Sequence, residues 1–301
     1  MKVKPAYIVN SISEQHRIMS LPKPLHPLMS VFHLEDSMHR AEEFAQKFAL
    51  NFYCVSLKKG FKGKFKYGQR YYDFDEGMVS FIAPHQSLEN LSEEEYELSG
   101  ICLSFHPDFI RNYPLAKKIK EYGFFSYATN EALHLSEKEE KMIETILRNI
   151  EAEYQSAIDG FSQDVMIAHI DLLLTYCNRF YNRQFLTRKA VHHDLLDKME
   201  LLLNEHFDAH KEILPTVEFL ASKLNVSAGY LSDMLRSLTG QTAQQHIHLH
   251  LIEKAKELLA NTHLSVGEIA YQFGFEYPQS FNKLFKNKTG VTPLQYRQSF
   301  N

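Results

Sequence analysis

The chain has no tryptophan, only three cysteines, and 12 glycines among its 301 residues. Cys54, Cys102 and Cys177 lie far apart. That spacing excludes a disulfide scaffold and points to buried thiols in a reducing compartment. No run approaches the roughly 18 apolar residues of a membrane span. The first twenty residues, MKVKPAYIVNSISEQHRIMS, have no apolar core and no cleavage site, so no secretory signal is read there. A large charge excess is missing too: 33 Lys and Arg face 37 Asp and Glu, a net charge of −4. This is not the balance of a general nucleic-acid binder. Nor is there a His-x-His pair in the first half, where His33, His39, His85 and His106 are scattered. What remains is an ordinary cytoplasmic chain, 44% hydrophobic and 23% charged, long enough for two domains. No membrane partner, cofactor or metal is expected.

What the chain does have is an internal duplication near its C-terminal end. Val217, Leu220, Ala221, Leu224 and Val226 match Val266, Ile269, Ala270, Phe273 and Phe275 at an offset of 49. One inserted residue later, Leu231, Met234, Leu235, Thr239, Gly240 and Thr242 match Phe281, Leu284, Phe285, Thr289, Gly290 and Thr292 at an offset of 50. A period of this length that keeps its apolar positions is a supersecondary unit used twice.

Each copy reads as two helices joined by a tight turn. Thr216 caps the first helix of copy one, and Ser265 with Glu268 makes a capping box in copy two. Asn225 and Gly274 fall where the turn needs a left-handed backbone. Ser227 can cap the next helix, and Pro278 is tolerated in a first turn. Gly240 and Gly290 are expected to end these helices. Between the copies, Ile247, Leu251, Ala255, Leu258 and Leu259 recur at helical spacing, predicting one helix over residues 243–261. Two helices joined by such a turn are the unit that lays its second helix, the reader, in a DNA major groove, and at about 27 Å the connecting helix is long enough to hold two readers near adjacent grooves.

This pattern, closing on GVTPLQYR (Gly290 to Arg297), resembles the AraC/XylS family of bacterial transcription regulators. The resemblance covers about 100 C-terminal residues. It implies double-stranded DNA as a partner, with RNA polymerase as a further expected one. The expected DNA-contacting residues are Ser227, Gly229, Ser232, Asp233 and Arg236 on the first reader, and Gln279, Ser280, Asn282, Lys283, Lys286 and Lys288 on the second. Gln279 or Asn282 suits adenine edges, and Lys283 suits guanine O6 and N7. Arg236, Lys286 and Lys288 suit phosphates. The family often carries arginine where this chain has Asp233, which puts base reading by the first helix in doubt. From Leu195 to Asn301, 10 Lys and Arg face 11 Asp and Glu, yet after Glu276 there are four cations and no acid. The second reader is therefore expected to carry more of the electrostatic affinity.

Upstream, short alternating segments between about 26 and 105 predict a small antiparallel barrel or roll. Phe61, Phe65 and Tyr67 alternate with lysines, and Ile101, Leu103 and Phe105 share a face. The resemblance implies a cupin-like barrel here that binds a small effector. Tyr53, Phe61, Tyr67 and Phe81 are candidates to line its pocket, with plain core packing as the alternative. The first 25 or so residues read as a flexible arm. Ser136 and Glu139 open a helix, and 161–185 predicts a second, apolar on more than one side. Such a helix packs on the barrel and on a second copy of itself, or else is buried within one subunit.

The expected class is α+β. Residues 1–135 are read as arm and effector-binding barrel, 136–186 as a helical dimerisation segment, 187–193 as linker, and 194–301 as the tandem helix-turn-helix domain. The expected function is ligand-responsive, sequence-specific transcription regulation by a non-enzymatic homodimer. The alternatives are a cupin-type metal enzyme with a helical appendage, which needs a ligand cluster not found, and a DNA-repair methyl acceptor, which needs an activated cysteine. His246 and His250 share a helix face at zinc-binding spacing, but without a third ligand they are expected to be solvent-exposed.

Overall fold

The computed structural model describes residues 7–37, 47–59, 64–67, 70–73, 77–89, 99–128, 131–157, 159–187, 189–208 and 214–299. The chain divides into two compact units, 1–184 and 185–301.

The first unit begins with β1 (Tyr7–Val9) and α1 (Ile12–Ile18). Next come β2 (Met29–His33), β3 (Lys47–Leu50), β4 (Tyr53–Lys59), the hairpin β5 (Lys64–Tyr67) and β6 (Arg70–Asp73), β7 (Met78–Ile82), β8 (Ser87–Glu89) and β9 (Ser99–Phe105). Two short helices, α2 (Pro107–Ile110) and α3 (Leu115–Lys118), lead to β10 (Leu133–His134), α4 (Glu137–Gln155) and α5 (Ser162–Thr187).

Five strands pair in the order β10-β7-β4-β9-β2, and three in the order β1-β3-β8. The described ladders form two open sheets and a separate hairpin, so a closed barrel is not observed. The two edges of the larger sheet, β10 and β2, do not pair with each other.

Period-two alternation divides the larger sheet's core into two layers. Tyr53, Val55 and Leu57 on β4 sit opposite Phe105, Leu103 and Ile101 on β9. On that same face Phe81, paired with Val55, meets Phe124 at 4.4 Å and Tyr181 of α5 at 6.0 Å. Tyr53 stacks on Phe105 at 5.2 Å. The same face is tied to α4, where Lys59 is held by Glu140 and Glu144. The opposite face carries Cys54, Ser56 and Lys58, and it is covered by α1 and the three-stranded sheet.

The N-terminal segment expected as a flexible arm is ordered from Tyr7 onward. Ser11 caps α1 by accepting from Glu14 N, and β1 pairs parallel with β3. Val9 and Ile12 are buried in the layer opposite α4. Only three or four residues in each short element carry the pattern, too few for periodicity to reveal.

Ser136 and Glu139 form the expected capping box of α4. On α5, Met166, Ile170, Leu173, Leu174 and Cys177 are buried. Phe161, at its start, and Val165 and Leu172 along it stay exposed at helical spacing.

The second unit is all helical: α6 (Lys189–Asp208), α7 (Val217–Leu224), α8 (Ala228–Thr239), α9 (Ala243–Asn261), α10 (Val266–Gln272), α11 (Pro278–Thr289) and α12 (Pro293–Gln298). The stretch read as a linker is helical from Lys189, since it is polar but holds no Gly or Pro to break a helix. His192 is buried there, with Nε2 3.2 Å from the Tyr230 hydroxyl. No helix among the described residues is long and apolar enough to cross a membrane.

Candidate nucleic-acid interface

Local chemistry builds the same turn twice. Thr216 Oγ1 accepts from Phe219 N at 3.1 Å and starts α7. Asn225 then takes a left-handed backbone, φ +56°, and Val226 N donates to Ala221 O at 3.0 Å. In the second copy the Ser265–Glu268 box starts α10, Gly274 takes φ +75°, and Phe275 N donates to Ala270 O at 3.0 Å. The paired hydrogen bonds keep the 49-residue offset. Ser227 caps α8 by accepting from Tyr230 N, and Pro278 occupies the first turn of α11.

The reader helices end alike as well. Gly240 and Gly290 are left-handed and donate to Arg236 O and Lys286 O. Thr239 and Thr289 return their hydroxyls to Leu235 O and Phe285 O at 2.8 and 2.9 Å. Thr242 with Gln245 and Thr292 with Gln295 then form capping boxes for α9 and α12. The repeat is therefore one of hydrogen-bond punctuation as much as of apolar residues.

Tyr230, Leu231, Met234 and Leu235 turn α8 inward, and Phe281 and Phe285 do so for α11. Phe281 lies 5.8 Å from Phe285 and 5.6 Å from Phe275, so the second reader rests on an aromatic stack. Opposite that stack, Gln279, Ser280, Asn282, Lys283, Lys286 and Lys288 are all exposed. On α8, Arg236 is exposed, whereas Ser227, Gly229, Ser232 and Asp233 are half-buried.

The two readers differ in charge. Arg236 Nη1 donates to Asp233 Oδ1 at 3.0 Å, so the first reader presents a neutralised pair. Among the described residues, Lys283, Lys286 and Lys288 enter no ion pair. Behind them, burial and then the Lys288 charge push the His248 pKa below the usual imidazole value. The fourth cation, Arg297, faces inward: its Nε donates to Leu259 O at 3.1 Å and ties α12 to the end of α9.

A profile of the helix-turn-helix domain matches residues 220–299, which span both copies. This is an AraC-type DNA-binding domain. Over the corresponding region the chain is 34% identical to the MmsAB operon regulatory protein of Pseudomonas aeruginosa, across 34% of this chain and 32% of that one. It is also 34% identical to the Msm operon regulatory protein of Streptococcus mutans, across 27% of this chain and 30% of that one. It thus spans about a third of the length of these curated relatives. Among solved structures, the C-terminal domain of the response regulator yesN from Fusobacterium nucleatum is 35% identical, covering 35% of this chain and 98% of that one, with a TM-score of 0.32.

The histidines of the AraC-type domain depart from expectation. His246 is buried rather than solvent-exposed, with Nε2 2.9 Å from Thr239 Oγ1. Burial, the largest cause, lowers its pKa. It fastens the last turn of the first reader to α9, and nothing in a His-x-His pattern foretells that. Among the described residues no group of three His, Cys, Asp or Glu side chains is placed to hold a metal.

Of the expected effector residues, Tyr53 and Phe81 sit in the aromatic layer beside α5. Phe61 and the Tyr67 side chain lie outside the described residues. Lys58 and Gln15, which are not among the expected residues, line a cavity in the first unit. A lysine at an inward strand position, between Leu57 and a second lysine, was the available signal.

Proposed function

We propose that the chain is a sequence-specific transcription regulator that reads two successive major grooves of double-stranded DNA, α8 in one and α11 in the next. The carrying observation is the outward row Gln279, Ser280, Asn282 and Lys283, exposed at the start of a helix whose other side is locked by Phe281 and Phe285. Amide and ammonium groups at that end of a helix are the groups that bond base edges. α9, with 19 residues, spans about 28 Å and sets the spacing. In this reading Lys286, Lys288 and Arg236 meet phosphates, and Ser227, Gly229, Ser232 and Asp233 contribute through backbone and short polar contacts.

In the same reading the first unit is a cupin-like roll that binds a small effector, and the protein works as a cytoplasmic, non-enzymatic homodimer that engages RNA polymerase. Residues 136–186 make the dimer contact. The exposed row Phe161, Val165 and Leu172 supports that role, since a second copy of α5 would cover it. The rival methyl-acceptor reading needs an accessible, activated thiol, and Cys54, Cys102 and Cys177 are all buried.

Genome-wide mapping of bound DNA, followed by gel shifts on the recovered sites, tests the reading. Tight binding to a shared motif, lost in Asn282→Ala, is expected. Binding with no sequence preference would refute it. Leu172→Glu is expected to convert dimer to monomer in sedimentation, and a persisting dimer would remove α5 from the interface.

A further inference from the structure

A cavity of about 240 Å³ lies inside the first unit, between the larger sheet, the three-stranded sheet and α1. Its walls are mostly apolar: Ile18 and Met19 from α1 and its end, Phe32 on β2 and Leu34 just after it, Phe48 on β3 and Ile82 on β7. Its polar groups are few. Cys54 and Cys102, 3.2 Å apart at sulfur, and Ser56, which donates to Cys102 Sγ at 3.2 Å, satisfy one another.

Two polar side chains are left uncommitted. Gln15 is 7% exposed and its Oε1 is buried without a hydrogen-bond partner. Lys58 points to the same side of β4 as Cys54 and Ser56, and no hydrogen bond or ion pair holds it among the described residues. Burial, the largest cause, pulls its pKa below the usual lysine value, against the raising effect of the nearby Cys102 and Cys54 sulfurs. A half-buried ammonium without an ion pair and a buried carboxamide oxygen without a donor both cost stability. Both residues line one cavity, and its two donors, Lys58 Nζ and the Gln15 amide nitrogen, suit a carboxylate; the orphaned Gln15 Oε1 is itself an acceptor, so the match requires the amide to be turned.

We propose that this cavity is the effector site and that it takes a small monocarboxylate with a compact apolar body, its carboxylate on Lys58 and Gln15 and its hydrocarbon against Phe32, Phe48, Met19 and Ile82. The proposal rests on the reading of the first unit as an effector domain. At interior packing density the volume holds on the order of ten to twelve non-hydrogen atoms. A phosphate ester would need more donors than one lysine and one amide, so a carboxylate is the matching anion.

The test is calorimetric titration of the full-length protein with octanoate, 3-phenylpropanoate and 4-methylvalerate, each beside its neutral amide. At least one acid is expected to bind ten-fold or more tightly than its amide and to raise the thermal midpoint. Lys58→Met keeps length and apolarity, so the fold is expected to hold, as circular dichroism would show. It should bring acid and amide to within about two-fold. Gln15→Leu, an independent variant, should weaken the acid several-fold and leave the amide unchanged. The proposal is overturned if no acid binds, if acid and amide bind alike, or if Lys58→Met still prefers the acid. Gel shifts on the same preparations separate the two readings. DNA binding without carboxylate binding removes the cavity proposal alone, and carboxylate binding without DNA binding removes the regulator.

Discussion

Lys286 and Lys288 stand in the last turns of the second reader, exposed and free of ion pairs among the described residues. If both meet phosphates, each releases a counterion, and log affinity falls with log salt by about 0.9 per contact. Replacing both with alanine should therefore flatten the slope by about 1.8 per engaged protomer. Over a four-fold rise in salt that is a difference of roughly 12-fold in the affinity lost, or roughly 150-fold when a dimer engages both domains. Fluorescence anisotropy on an operator fragment, from about 50 to 200 mM salt, measures it directly. Lys283→Ala should behave differently. If its ammonium bonds a guanine edge, it costs about 1–3 kcal/mol on the operator and much less on scrambled DNA. A double variant whose salt slope matches wild type would show that neither lysine touches the backbone. A Lys283 variant weakened equally on every sequence would assign that residue to phosphate instead.

Gly100, at φ +134°, would place a Cβ 2.0 Å from Leu57 O, so Gly100→Ala should lower the first unit's stability by more than about 3 kcal/mol in a urea melt. Asn225→Ala should cost the AraC-type domain about 1 kcal/mol at its left-handed φ of +56°, whereas Asn225→Gly should be near neutral by the same melt. Burial holds the His246 pKa below that of the unfolded chain, so the unfolded state takes up the proton first as pH falls. Stability should drop as pH falls below about 6.5 and level off once the folded state also protonates. His246→Gln should shrink the gap between denaturation midpoints at pH 7.5 and 5.5, and an unchanged gap would remove His246 as its source.

The C-terminal half was legible because its signals are local. Asn225, Gly274, Gly240 and Gly290 announce left-handed backbone by residue type alone, and Ser265 with Glu268 or Ser136 with Glu139 announces a helix start three residues in advance. Duplication reinforced each signal. The first unit was harder to read. β1 and α1 are short, and their burial depends on a pairing with β3 some forty residues away. A lysine inside a strand looks like a solvated side chain until the sheet above it is known, so residue type alone does not set Lys58 apart from Lys59. His246 shows the converse case: its neighbours His248 and His250 suggested a surface triplet, and only the return of Thr239 onto α9 buries one of the three.

Lys58 and Lys59 are consecutive on β4, and the pleat sends them to opposite sides. One faces the cavity; the other grips α4 through Glu140 and Glu144. If the cavity is the effector site proposed above, a guest that draws the first ammonium inward would act on the peptide unit from which the second reaches its acidic clasp. Occupancy would then have one covalent step to travel before it leaves the sheet, along a strand paired on both edges.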